Sequence, residues 1–248
     1  GGTIKLDGNY PVGTSNVALG DAAGAAITSG GRNTLIGGSA GDALTVGQRN
    51  VVIGTDALSA DTQGSRSVAI GQAALANQNF TSATDNYNVA VGFQAGVNVS
   101  TGIKNTFIGG LSGDATTTAE ENTAVGYESM TTNTTGGDNS ASGAYSLRMN
   151  TTGSNNAAMG YSALEQNSTG GSNTAVGYKA LEANTTASYN TAVGFQALNG
   201  NTTGVGNNAL GYQALTTNTT ANYNTAFGHV ALSLNVTGTE NTAVGSQT

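Results

Sequence analysis

Polar and aliphatic residues alternate in short stretches along this chain, and one stretch recurs with little change. Residues 190–194 read NTAVG, residues 173–177 repeat the same letters, and residues 207–211 read NNALG. An alternation of this kind is typical of a short β-strand, because successive side chains of a strand point to opposite faces. The glycine that closes each stretch predicts a sharp bend or a close approach of two backbones.

The recurring stretch has a fixed period, which we measured from the Asn that opens it. Successive anchors are 17 residues apart, except between Ser67 and Asn88, where the interval is 21 residues, four more than the period. The fourteen anchors are Asn16, Asn33, Asn50, Ser67, Asn88, Asn105, Asn122, Asn139, Asn156, Asn173, Asn190, Asn207, Asn224 and Asn241. Such regular self-similarity indicates an array of stacked structural repeats.

With the anchor as position 1, the unit reads N-T-A-V-G-Y-x-A-L-x-x-N-T-T-G-x-x. We interpret it as strand, corner, short strand and corner, because the Asn, Thr and Gly residues at positions 12–15 favour a second turn. The pattern lacks the 3.6-residue period of a helix. The predicted fold is therefore an all-β, parallel β-solenoid (β-roll or β-helix) of 17-residue coils. We assign residues 1–15 to an N-terminal lead-in and residues 16–248 to about fourteen repeats.

Positions 9 and 12 of the unit compensate each other. Position 9 is usually Leu or Met, and position 12 of those coils is then polar, as in Leu198 and Asn201. Four coils carry Gly at position 9: Gly24, Gly41, Gly96 and Gly113. Three of them place an aliphatic residue at position 12: Ile27, Leu44 and Val99; Thr116 is the exception. Because protein interiors tolerate few voids, we expect the two positions to fill one core pocket.

Stacking of identical coils brings like residues about 4.8 Å apart. We therefore expect the anchor asparagines to form a ladder of side chains bonded to one another. The aromatic residues at position 6 are too many for a thin core, so we place some of them in contacts between chains. A homotrimeric rod would also help to protect the sides of the solenoid.

Charge and composition narrow the partners that the sequence allows. Only 8% of residues are charged, the formal net charge is −7, and cysteine is absent. We regard the seven Lys and Arg residues as scattered, which argues against a nucleic-acid partner, because phosphate binding needs clustered cations. No stretch reaches the length of a membrane span. Without cysteine, the chain has neither disulfides nor thiolate metal sites.

Residues that could carry chemistry are few and dispersed. His229 is the single histidine and occupies position 6, so we interpret it as a substituted aromatic residue. Asp42 and Asp114 recur in two related segments, where they either cap a turn or bind a cation between coils. Glu120 and Glu121 are merely sequence neighbours. We predict no catalytic, cofactor or metal site, no cofactor, and hence no enzyme.

The four extra residues lie within 76–87, which reads ANQNFTSATDNY. Since the register resumes at Asn88, we expect this segment to bulge outward with Phe80 exposed. Insertions of this kind often form the binding surfaces of repeat proteins. We therefore predict an interaction loop formed by Asn79, Phe80, Thr81 and Asp85; a tolerated loop without function is the alternative.

The NTAVG-type units, for example at residues 190–194 and 207–215, resemble repeats in phage tail fibres and bacterial trimeric surface fibres, which often end in a self-cleaving S74-type chaperone domain. They are also similar to the head repeats of YadA-like trimeric autotransporter adhesins, which are trimers of parallel β-rolls. The period of 17 differs from the shorter YadA-like repeat. No chaperone domain follows Thr248, so we expect a fragment or a matured product.

The resemblance implies a structural or adhesive segment of an extracellular appendage on a virion or bacterial surface. Such a segment is a rigid spacer, and a tip outside it binds a host-surface glycan or protein receptor. The alternative is an ice- or surface-binding solenoid that uses the threonines of position 2, although Ser140, Ala157 and Asn208 interrupt that row. A polysaccharide-degrading tailspike is a third reading, which the dispersed carboxylates do not favour.

Overall fold

The computed structural model describes residues 15–248, so the predicted lead-in, residues 1–15, lies outside the described residues except for Ser15. The chain divides into two compact units, Gly1–Glu121 and Asn122–Thr248. The described residues form strands and turns and contain no helix. Accordingly, no helix that could cross a membrane occurs between residues 15 and 248.

One three-residue strand opens each coil, at positions 2–4 of the sequence unit. In the first unit these strands are β1 (Val17–Leu19), β2 (Thr34–Ile36), β3 (Val51–Ile53), β5 (Val68–Ile70), β7 (Val89–Val91) and β8 (Thr106–Ile108). In the second unit they are β9 (Thr123–Val125), β10 (Ser140–Ser142), β11 (Ala157–Met159), β12 (Thr174–Val176), β13 (Thr191–Val193), β14 (Asn208–Leu210), β15 (Thr225–Phe227) and β16 (Thr242–Val244). Two further strands, β4 (Gly64–Ser65) and β6 (Thr84–Asp85), lie outside this row.

Strands of successive coils pair in parallel and in register within each unit. Thr174 lies opposite Thr191, for example, and Val176 lies opposite Val193. The pairing continues across the 21-residue interval, where Val68 lies opposite Val89. The predicted parallel β-solenoid with coils of about 17 residues is thus confirmed.

In most coils the core is formed by positions 3, 8 and 9. Ala192, Ala197 and Leu198 represent these positions and are fully buried. Positions 2 and 4 of the strand face outward, so the aliphatic residues of position 4 lie outside the core. In most coils, small residues at positions 3 and 8 leave room for one large side chain; the coil of residues 33–49 buries two, Leu35 and Leu44.

The predicted sharing of one pocket by positions 9 and 12 is confirmed. A Cβ atom placed on Gly41 would lie 2.9 Å from Leu44 Cδ1, and both Leu44 and Val99 are fully buried. The exception at Thr116 also has a physical explanation. In that coil, position 3 is Phe107, whose ring occupies the space that a side chain on Gly113 would need. A third position can therefore fill the pocket.

The prediction of a second short strand in each coil is wrong for most of the chain. Positions 6–17 form turns, and β4 and β6 are the only strands outside the first row between residues 15 and 248. The physical reason is that positions 7, 9 and 17 adopt left-handed backbone angles, such as φ values of +52° at Gln196 and +51° at Leu198. Hydrogen bonds between coils nevertheless continue, for example from Leu198 N to Ala214 O at 2.9 Å.

The glycine of position 5 is required by the close approach of neighbouring coils. Gly194 has a φ of +135°, and a Cβ atom there would collide with the carbonyl oxygen of Gly211. Gly177 faces Gly194 in the same way. A column of glycines therefore marks the place where the backbones of successive coils lie closest together.

Two rows of buried asparagines connect the coils. At position 1, Asn190 Oδ1 accepts a bond from the backbone N–H of Asn207 at 2.8 Å, while its Nδ2 donates to Gly204 O at 2.9 Å. The predicted anchor ladder thus exists mainly as side chain to backbone bonds. Position 12 holds the more complete side-chain ladder, in which Asn184 Nδ2 donates to Asn167 Oδ1 at 2.8 Å. The sequence interpretation missed this second ladder.

Candidate interaction surfaces

The four residues of the predicted interaction loop lie around β6 but do not share one environment. Asn79, Thr81 and Asp85 are exposed. Phe80 is only 6% exposed, so the expectation that its ring faces the solvent is wrong. The segment partly extends the coil instead of only bulging, because Thr84 and Asp85 pair with Gly64 and Ser65.

A buried carboxylate organises the coil that carries the insertion. Asp61 replaces the asparagine of position 12, and its Oδ1 accepts bonds from Gly64 N at 2.9 Å and Phe80 N at 3.1 Å. Its Oδ2 accepts a bond from Gln78 Nε2 at 2.7 Å, and Gln78 also binds Asn88. Burial raises the pKa of Asp61 above 3.8, although the bonds from Gln78 and the backbone oppose this shift.

Aromatic side chains of position 6 form a stacked column in the second unit. The aromatic column consists of Tyr161, Tyr178, Phe195, Tyr212 and His229. Neighbouring ring centroids are 5.1–5.4 Å apart, and the ring planes deviate by only 7–10°. The interpretation of His229 as a substituted aromatic residue is confirmed, because its imidazole continues the stack. All five rings are exposed to solvent.

An apolar row runs beside the aromatic column, separated from it along the chain only by the glycine of position 5. The row consists of the outward side chains of Met159, Val176, Val193, Leu210 and Phe227. Met159 is 58% exposed and Leu210 is 46% exposed. Contiguous exposed apolar surface of this kind is typical of an interaction site.

Arginines form a column in the first unit, which corrects the expectation of scattered cations. Arg32, Arg49 and Arg66 all occupy position 17 of consecutive coils, and we name them the arginine column. Their backbones are connected in register, with Arg49 N donating to Gly31 O and Arg66 N to Gln48 O. The 17-residue period, applied to Arg as well as to Asn, would have revealed this column from the sequence.

Threonines of position 14 form a second row that sequence interpretation missed. The exposed row in the second unit is Thr135, Thr152, Thr169, Thr186, Thr203, Thr220 and Thr237. By contrast, the hydroxyl groups of position 13 are used internally, as in the bond from Thr185 Oγ1 to Thr202 O at 3.1 Å. Unlike the row at position 2, this row is not interrupted between residues 135 and 237.

The acidic residues and the histidine that were considered as chemical groups do not form a cluster in the described part of the chain. Between residues 15 and 248, no group of three or more His, Asp or Glu residues could hold a metal ion. Glu121 forms an ion pair with Lys104 at 2.6 Å. The chain shows no significant match to any protein-family model, curated protein or solved structure.

Proposed function

We propose that this chain is a structural segment of an extracellular, homotrimeric fibre of the phage tail fibre or bacterial surface fibre type. The segment acts as a rigid spacer that holds a receptor-binding tip, located outside it, away from the virion or cell surface. In this proposal no side chain catalyses a reaction, and the chain's main partner is a further copy of itself.

The observation that supports the proposal is the exposed surface formed by the apolar row and the aromatic column. Burying such side chains stabilises a complex by about 25 cal/mol per Å² removed from water. Because the rings already stack on one another, their edges face outward and suit packing against another apolar surface. The regular coils would let a partner of the same repeat dock along several coils at once.

The mass of the protein in solution tests this proposal. Sedimentation equilibrium should give three times the 24.4 kDa of one chain. The double variant Leu210→Ser, Tyr212→Ser should shift the mass toward the monomer, because both side chains belong to the proposed contact surface. Tyr189→Ser is the matched control, since Tyr189 is an exposed tyrosine of position 17 outside that surface. A monomeric wild-type protein at high concentration would overturn the proposal.

A second candidate function is the binding of ice, which the uninterrupted threonine row of position 14 favours. Each threonine presents one hydroxyl and one methyl group, and coil stacking repeats them about every 4.8 Å. A regular row of this kind can order surface water into a lattice. This proposal does not require an oligomer.

A thermal-hysteresis measurement tests the second candidate. The wild-type protein should lower the freezing point below the melting point, and Thr186→Lys should abolish the effect by breaking the row at its centre. Gln166→Lys adds the same charge at an exposed site outside the row and should have no effect. Absence of hysteresis in the wild-type protein would exclude this function.

A further inference from the structure

The arginine column concentrates positive charge on one side of a protein whose formal net charge is −7. Arg32 and Arg49 are exposed, and neither has an ion-pair partner among residues 15–248. The coil spacing places the backbones of successive arginines about 4.8 Å apart, so their positive charges belong to one row along the coils. Three adjacent cations repel one another unless an anion lies against them.

A cleft flanks this column where the insertion joins the coil. It has a volume of about 360 Å³ and is lined by Gln48, Arg49, Arg66 and Thr84, among others. Next to it, the ring of Tyr87 is half exposed and lies 5.5 Å from the Arg66 guanidinium carbon. The cleft therefore combines cations, an amide, a hydroxyl group and a nearby aromatic ring, which together suit a polar chain with acidic groups.

One carboxylate already occupies part of this surface. Asp85 Oδ1 lies 2.9 Å from Arg66 Nε, and both side chains are partly exposed. The ion pair shows that a carboxylate fits against the column at this level. Arg32 and Arg49 offer equivalent guanidinium groups without such a partner in the part of the chain that the structure describes.

We propose that the arginine column and the adjoining cleft bind an acidic polysaccharide. Its carboxylate or sulfate groups pair with Arg32 and Arg49, and its chain runs along the stacked coils toward the cleft beside Tyr87. Guanidinium groups favour these anions because their planar N–H donors match two oxygens at once. The proposal adds a binding site within the spacer itself and does not depend on trimer formation.

Nucleic acid is the alternative polyanion, and the charge pattern disfavours it. Tight binding to a phosphate backbone needs several unpaired cations, whereas within residues 15–248 only Arg32 and Arg49 of the arginine column have no carboxylate partner. The remaining surface carries excess negative charge, which repels a densely charged strand more strongly than a polysaccharide with one charge per one or two sugars.

Titration calorimetry with defined polysaccharides tests this site. Heparin provides sulfate groups, polygalacturonate provides carboxylates, neutral dextran provides neither, and a DNA oligonucleotide provides phosphates. We expect heparin or polygalacturonate to bind and dextran not to bind. Arg49→Gln and Arg32→Gln should each weaken binding by about tenfold, the effect of losing one charge-assisted bond.

Two further variants make the test independent of overall charge. Asp85→Asn removes the competing carboxylate and should strengthen binding. If the substitution instead disturbed the fold, binding would become weaker. Arg148→Gln removes a cation of the second unit, where Arg148 lies between Glu128 and Glu165, and should not change binding. Equal binding by wild type, Arg32→Gln and Arg49→Gln would overturn the proposal, as would absence of binding. DNA binding as tight as that of the polysaccharides would also overturn it.

Discussion

At the scale of single residues, Phe107 shows how one coil departs from its neighbours without losing its core. Most coils combine a small residue at position 3 with a leucine or methionine at position 9, whereas this coil has Phe107 and Gly113. The ring of Phe107 is fully buried and reaches the space beside Gly113. The space beside position 9 can therefore be filled from position 3, and a paired exchange should be tolerated.

Phe107→Ala should lower the free energy of unfolding by about 3–5 kcal/mol, because it leaves a cavity where no neighbour can collapse fully. Adding Gly113→Leu should restore most of the loss, since Leu198 adopts the same left-handed conformation at position 9. Gly113→Leu alone should overpack the pocket and destabilise the protein. Chemical denaturation of the four proteins gives the coupling, and purely additive effects would refute a shared pocket.

Asp61 predicts a dependence of stability on pH. Because its pKa is raised in the folded protein, the folded state holds the proton more tightly than the unfolded state. This contribution to the free energy of unfolding is fully present below pH 3.8 and is lost as the pH rises through the folded pKa. Relative to Asp61→Asn, the wild-type protein should therefore be less stable at neutral pH than in acid.

Denaturation of wild type and Asp61→Asn across the acid range measures this difference. Asp56→Asn removes an exposed carboxylate of the same coil and controls for the change in net charge. If the difference between wild type and Asp61→Asn did not vary with pH, burial would not control the titration of this group.

At the scale of the element, the period of the sequence predicted the stacking of parallel coils but only part of the backbone path within each coil. The strand at positions 2–4, the bend at the following glycine and the pocket shared by positions 9 and 12 follow from residue size and alternation. The turn at positions 6–9 was not predicted, because leucines such as Leu198 seldom adopt a left-handed backbone; the glycines that replace them in four coils were the available signal. The inward position of Phe80 depends on Asp61 of the preceding coil, which accepts bonds from Phe80 N and from Gln78 of the same coil as Phe80. A local sequence pattern does not contain this arrangement.

The side-chain ladder of position 12 predicts a strong effect of a single deletion. Asn184 donates to Asn167 Oδ1 and Ala187 O and accepts a bond from Asn201 Nδ2 at 3.1 Å. Asn184→Ala leaves buried polar atoms unpaired and should cost about 1–3 kcal/mol for each atom that finds no partner. Asn235→Ala, at a half-exposed site of the same row, should cost less because water can replace the bonds.

Thermal unfolding of the two variants checks this order. Equal decreases in the unfolding midpoint for Asn184→Ala and Asn235→Ala would show that burial does not determine how much each asparagine stabilises the protein. The asparagines of position 12 also open Asn-x-Ser/Thr triplets, the acceptor pattern of N-glycosylation, and Asn133, Asn150 and Asn184 are fully buried in the folded chain. A folded coil therefore does not present these amides to a modifying enzyme.

At the scale of the whole molecule, stability arises from interfaces between neighbouring coils, because each coil has only a few buried side chains. The interfaces of the second unit are nearly the same, with parallel strand pairing in one register. Removing one complete coil should therefore remove one interface and leave the others unchanged.

Deletion of residues 190–206 should give a folded protein, because Tyr189 is then followed by Asn207 in the same register. The circular dichroism spectrum should keep its β-sheet form, and the unfolding midpoint should fall slightly. Deletion of residues 190–198 removes about half a coil, so the asparagine rows lose alignment and cooperative unfolding should disappear. If both deletions unfolded the protein, coils would not be interchangeable units.

The glycine column of position 5 has a consequence for inheritance. Each glycine leaves a gap that the carbonyl group of the next coil fills, as Gly194 and Gly211 do. A gene that encodes such a protein can therefore lengthen its product by duplicating complete units. Any other addition must leave this column untouched and return the chain to it, as residues 76–87 do between Gly71 and Gly92.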